Sequence, residues 1–116
     1  MSRRRSHATA RATDAAPVFA ALGDMTRLEL VARLCAEGPL SIARLSEGAG
    51  VTRQAITKHV HSLAEAGLVR DTRDGRERIW ELEARRLQVA RRHLDHISDR
   101  WDEALRRLNA LVEETL

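Results

Sequence analysis

Tyrosine is absent from this 116-residue chain, and with one phenylalanine and two tryptophans the aromatics reach only 3%. The core must then come from Leu, Val, Ile and Ala, which favours helices over a β-sandwich. Cysteine is reduced to Cys35. An intramolecular disulfide is excluded, and with no CxxC pair and no secretory apolar segment a cytoplasmic protein is expected. No apolar run approaches the roughly 18 residues of a membrane span, so insertion into a membrane is not expected. Enzyme chemistry lacks a basis too. Ser, His and Asp are scattered, there is no Gly-rich phosphate loop, and a core this small leaves little room for a pocket. Neither catalytic residues nor a cofactor are expected.

Lysine is nearly missing as well. Lys58 is the only one, so almost all basic charge is arginine, with a formal net charge of +3 and a pI of about 10.3. A guanidinium forks onto phosphate or a guanine edge, which suits a polyanion partner. A GC-rich genome that uses Arg for Lys throughout would leave the same composition. Hydrophobic residues at 43% and charged residues at 32% describe a soluble globular chain, long enough for one domain and too short for two.

Residues 1–13, MSRRRSHATARAT, carry Arg3, Arg4, Arg5 and Arg11 without apolar periodicity. A disordered basic arm is expected there, with one folded domain over 14–116. Asp14 is placed to cap a first helix carrying Pro17, Val18, Phe19 and Leu22, which Gly23 stops. A second helix runs from Asp24 or Met25 to Glu37, with Leu28, Val31, Leu34 and Cys35 at helical spacing and Gly38-Pro39 closing it. On that stripe Cys35 reads as a small buried hydrophobe. Ser41 caps a short helix containing Ile42 and Leu45, which ends at Gly48 and Gly50. Thr52 then caps a helix to about Ala66, with Val51 and Ile56 spaced as a hydrophobic staple. Leu68–Arg73 and Arg76–Leu82 read as strands joined by Asp74-Gly75 in a type I′ turn.

From Glu83 onward there is no Gly or Pro. Leu87, Leu94, Trp101 and Leu108 recur every seven residues, with Ala90, Ile97, Ala104 and Leu111 three residues after each. This is a heptad seam on one helix over about 83–114, roughly 45 Å long. One small domain cannot cover such a stripe, so pairing with a second copy is expected.

Helix, short helix, glycine turn, helix and hairpin follow the order of a winged helix-turn-helix, whose second helix of the pair enters the DNA major groove. The expected fold is therefore mainly α: a winged helix-turn-helix with a two-stranded β-hairpin wing and a long C-terminal dimerisation helix. In the helix after Thr52, Ile56, Val60 and Leu63 cluster within about 60° and mark the buried side. Arg53, Gln54, Thr57, Lys58 and His61 fall opposite, and no acidic residue occurs from Thr52 to Ala64. They combine guanine donors, a bidentate amide for adenine, a hydroxyl and phosphate-binding charge. His59 lies beside the buried arc, suited to a structural role or a phosphate. At the hairpin, Arg70, Arg73, Arg76 and Arg78 flank the turn, and Arg73 and Arg76 are the best placed for a DNA backbone. A winged helix used for protein binding would show an apolar or acidic outer face, and this face is neither.

The segments ALGDMTRLELVARL, LSIARLSEGAGVTRQAITKHVHSLAEAGLV and RDGRERIWEL, in that order from Pro17 to Leu82, resemble the ArsR family of bacterial transcriptional repressors. The resemblance implies a homodimer whose first and last helices pair, bringing Phe19 together with Leu87, Leu94, Ile97, Trp101, Leu108 and Leu111. It implies a double-stranded operator, expected as an inverted repeat, and release by an effector. Metal-sensing members often carry Cys-x-Cys in the first helix of the helix-turn-helix, where this chain has LSIARL. A second family metal site lies on the last helix. His93, Asp95, His96 and Asp99 crowd two turns there, and a symmetric dimer could complete four ligands, but their spacing departs from the family pattern. The expectation is that no metal is bound and that the effector is a small molecule of unknown identity. The tail ISDRWDEALRRLNALVEE resembles a branch of the family without a recognised metal motif.

Overall fold

The computed structural model describes residues 14–115, and the basic arm expected over 1–13 lies outside them. Helix α1 covers residues 14–22 of the described chain. Asp14 is already helical and so does not cap it. Its carboxylate instead accepts from Arg86 Nη1 at 2.7 Å, while its carbonyl accepts from Nη2 at 3.2 Å. Helix α2, Met25–Glu37, is capped by Asp24, whose side chain accepts from the Arg27 N–H. Its buried residues are Leu30, Val31 and Leu34. Leu28 and Cys35, both expected inside, are exposed. At 100° per residue each lies about 100° from the centre of the buried arc, and Leu30 takes the inner position instead.

Strand β1, Leu40–Ser41, leads into α3, Ile42–Ser46, and after a glycine turn α4 spans Arg53–Glu65. Both expected caps form: Ser41 Oγ accepts from Arg44 N at 3.2 Å and Thr52 Oγ1 from Ala55 N at 3.1 Å. Such caps satisfy donors that a helix start leaves unpaired. Val51, read as one half of a staple, stays exposed while Ile56 enters the core.

The wing is β2, Val69–Asp74, and β3, Glu77–Leu82, antiparallel. The sheet has three strands rather than two, in the order β1-β3-β2, with Leu40 opposite Trp80 and Ser41 opposite Ile79. A two-residue strand is too short to show alternation in sequence. The hairpin turn also differs from expectation. Asp74 pairs with Glu77, leaving Gly75-Arg76 as the loop, and Gly75 has φ +66° while among the described residues no other residue type has positive φ. These are the φ signs of a type II′ turn, with glycine first, rather than of type I′.

Val18, Leu45, Ile56, Val60, Leu63 and Leu68 are fully enclosed and define the core between α1, α3, α4 and the wing. Helix α5, Ala84–Thr115, joins this core through Ala90, its only buried residue, and half-buried Leu87. Its 32 residues run about 48 Å. Beyond Ala90, Leu94, Ile97, Trp101, Leu105, Leu108 and Leu111 are exposed, Trp101 by 65%. The overhang stretches the molecule to 68 Å, with a radius of gyration of 19.4 Å where a compact chain near this length has about 13 Å. Among the described residues no helix is long and apolar enough to cross a membrane.

Candidate nucleic-acid interface

Helix α4 is held from behind by Ile56, Val60 and Leu63, leaving Arg53, Gln54, Lys58 and His61 exposed on the other side. Thr57 flanks them, half-buried, and its Oγ1 donates to the Arg53 carbonyl at 3.0 Å. That bond uses the hydroxyl proton, so the oxygen and the methyl remain for contacts. Glu65 is exposed on the same arc as Gln54 and Lys58. The acid-free surface therefore occupies about the first two and a half turns of α4.

His61 also touches the wing. Its ring lies 5.8 Å from that of Trp80, tilted by 54°, and the Arg78 guanidinium sits 5.8 Å from the Trp80 ring centre. The four wing arginines separate into two kinds. Arg70 pairs with Glu81 at 2.7 Å and Glu83 at 3.4 Å, and Arg78 with Asp71 at 3.0 Å. Arg73 and Arg76 are exposed and, among the described residues, have no carboxylate partner. Arg53 and Arg76 come together on an open groove of about 280 Å³, which Ser41, Ile42, Ala43, Glu77 and Arg78 complete. With Arg78 held by Asp71, the Arg53 and Arg76 guanidiniums against the one lining carboxylate, Glu77, leave that groove electropositive.

His59 leaves the exposed set. Its Nδ1 is 3.2 Å from Arg27 Nη1 and 3.8 Å from the Asp24 carboxylate, at the corner between α1 and α2. The Arg27 backbone N–H, assisted by the Arg27 guanidinium, holds the Asp24 carboxyl below its ordinary range. Sequence reasoning missed Arg27, and it missed Arg33. Arg33 Nη1 is shared among the carbonyls of Arg44, Leu45 and Glu47 at 3.1, 3.1 and 3.4 Å, closing the end of α3. Its Nε donates to Glu37 at 2.8 Å, which raises the Arg33 pKa and lowers that of Glu37. Only the Arg33–Glu37 spacing of i, i+4 was visible in sequence.

On the opposite side, Phe19 is half-buried with its ring 5.9 Å from that of His93. His96 is half-buried and Asp99 exposed. Within one chain, no three His, Cys, Asp or Glu side chains gather as a metal-holding group among the described residues.

Residues 22–72, from the end of α1 into β2, match the helix-turn-helix domain family. The HTH-type transcriptional regulator Rv2034 of Mycobacterium tuberculosis is 36% identical over 93 residues, 80% of this chain and 83% of its own length. The ArsR-like transcriptional regulator from Rhodococcus sp. RHA1 is 34% identical and superposes with a TM-score of 0.74, covering 85% of this chain and 92% of that one. The chain belongs to the ArsR-like family of transcriptional regulators. As an ArsR-like regulator it is a DNA-binding winged helix-turn-helix protein, with α3 and α4 as the helix pair and β2–β3 as the wing. The transcriptional repressor BigR from Xylella fastidiosa is a further neighbour in structure, 27% identical with a TM-score of 0.61 over 78% of this chain and 91% of its own.

Proposed function

We propose that this protein is a homodimeric repressor that reads an inverted-repeat operator with α4 of each copy and is released by a small effector. The observation that carries the reading is the acid-free face of exposed Arg53, Gln54, Lys58 and His61 with half-buried Thr57, beside the wing residues Arg73 and Arg76, which have no carboxylate partner among the described residues. An amide and a guanidinium supply base-edge recognition, while the remaining charge positions the protein on phosphates. The dimer is supported by the apolar seam of α5, which one copy leaves exposed, and repression by the likeness in structure to the transcriptional repressor BigR. A cytoplasmic location is part of this reading, since that is where the operator would be met.

The test is fluorescence anisotropy with duplexes from upstream of its own gene. Selective binding to a duplex carrying an inverted repeat is expected, with an isolated half-site bound much more weakly. Equal affinity for the repeat, the half-site and unrelated DNA of the same length would refute the reading.

A further inference from the structure

Arg27 belongs neither to the DNA-facing set nor to the core, yet its guanidinium sits where α1, α2 and α4 meet. Its Nε donates to the Ala21 carbonyl near the end of α1, and its Nη1 lies 3.2 Å from His59 Nδ1 in the middle of α4. Its backbone N–H donates to the Asp24 carboxylate at 3.0 Å. A guanidinium has donors only and stays charged, so the ring nitrogen facing it must accept. The alternative partner for that nitrogen, Asp24 Oδ2 at 3.8 Å, is beyond hydrogen-bond range. The contact thus requires the tautomer in which Nδ1 accepts and the ring hydrogen sits on Nε2.

We propose that Arg27 is a positioning residue for the recognition helix, acting through His59 to fix the roll of α4 against the α1–α2 corner. The proposal rests on the reading of α4 as the element that reads DNA. Behind α4, Ile56, Val60 and Leu63 make apolar contacts, and such contacts have little directional preference. The hydrogen bond from Arg27 to the flank of the helix is directional. A roll of about 10° moves side-chain tips at the roughly 5–6 Å helix radius by about 1 Å, more than the width of the hydrogen-bond distance range. His59 then serves DNA binding by setting where Gln54 and Lys58 arrive, not by meeting a base.

The experiment is a double-mutant cycle in the full-length protein with Arg27→Gln, His59→Gln and both, read as affinity for the operator duplex and for an unrelated one. Each single change is expected to lower operator affinity about tenfold, and the double change no further, since both break one interaction. The loss should fall on the operator more than on the unrelated duplex. Arg27→Lys, which keeps one donor, should recover most of the operator affinity and serves if Arg27→Gln does not fold. Additive losses, or equal weakening on both duplexes with a matching fall in melting temperature, would overturn the positioning role. Nitrogen-15 spectra of the His59 ring in the free wild-type protein read the junction separately: unprotonated Nδ1 is expected, and a protonated Nδ1 would overturn it. A wild-type protein that binds no duplex selectively would refute the proposed function and the positioning role with it, while the ring spectrum still decides the Arg27–His59 bond.

Discussion

His61 on α4 and Trp80 on β3 meet with ring centroids 5.8 Å apart, so the recognition helix and the wing are joined at the surface between them. Trp80 is almost fully buried and also faces Leu40 across the sheet. Truncating it to alanine is expected to cost about 3–5 kcal/mol, the usual range for a large aromatic lost from a core. His61→Ala, on an exposed residue, should change stability by no more than about 0.5 kcal/mol while weakening DNA binding. Chemical denaturation of both variants checks this, and a His61→Ala as unstable as Trp80→Ala would show that the ring is a core element.

Gln54 and Lys58 share an exposed arc but are expected to behave differently on DNA. Gln54→Ala should cost about 1–3 kcal/mol of operator affinity and relax the base preference at one position of each half-site. Lys58→Ala should weaken all sequences alike and lower the salt-dependence slope by about 1 for each copy. Titrations of operator and mutated operator at several salt concentrations separate the two outcomes. A Gln54→Ala protein with unchanged selectivity would remove Gln54 from the reading set.

The wing arginines make a sharper comparison, because their ion pairs divide them. Arg73→Ala and Arg76→Ala are expected to reduce the salt slope, as each removes a charge with no carboxylate partner among the described residues. Arg70→Ala should reduce it least, since Glu81 and Glu83 already hold that guanidinium. If Arg70→Ala had the largest effect, the wing would meet DNA by its other face.

The acid limb of stability should carry the signature of Asp24. Its carboxyl titrates below the usual aspartate value because the Arg27 amide hydrogen-bonds to its charged form. A depressed folded-state pKa contributes stability that is fully present above the unfolded value near 3.9, is lost as pH falls through the folded value, and is absent below it. Asp24→Asn is therefore expected to lower the melting temperature at pH 6 and to converge with wild type at the acid end. A constant difference across that range would assign the cap to geometry rather than charge.

Elements with periodic side chains or strong caps were legible in sequence. Ser41 and Thr52 cap where their types and spacing indicated, and Ile56, Val60 and Leu63 form the inner face of α4. What stayed hidden depends on distant partners. β1 exists because Leu40 and Ser41 lie beside Trp80 and Ile79, about forty residues later. Leu28 and Cys35 matched helical spacing as well as Leu30 did, and only the position of the neighbouring elements chose between them. Asp14 has the chemistry of a cap, but Arg86 on α5 uses its carboxylate. In the candidate site, Arg53, Gln54, Lys58 and His61 could be found from one helix alone. The division between paired and unpaired wing arginines needed the strand register, and the Arg27–His59 junction needed three helices.

The α5 seam and the DNA geometry make the same demand for two copies. Trp101→Glu should weaken self-association and operator binding together while the melting of the core stays close to wild type, because Trp101 is 65% exposed in one chain. Gel filtration with denaturation of the same sample checks this. A dimer untouched by the charge would place the interface elsewhere.

Sedimentation of the protein with the proposed inverted-repeat duplex at micromolar concentration tests most directly whether two copies read one operator. Two half-sites about one helical turn, or roughly 34 Å, apart require two recognition helices related by a two-fold axis. The expected result is two chains per duplex, formed from a species already dimeric without DNA. One chain bound tightly to the full operator, from a protein that sediments as a monomer, would contradict the account.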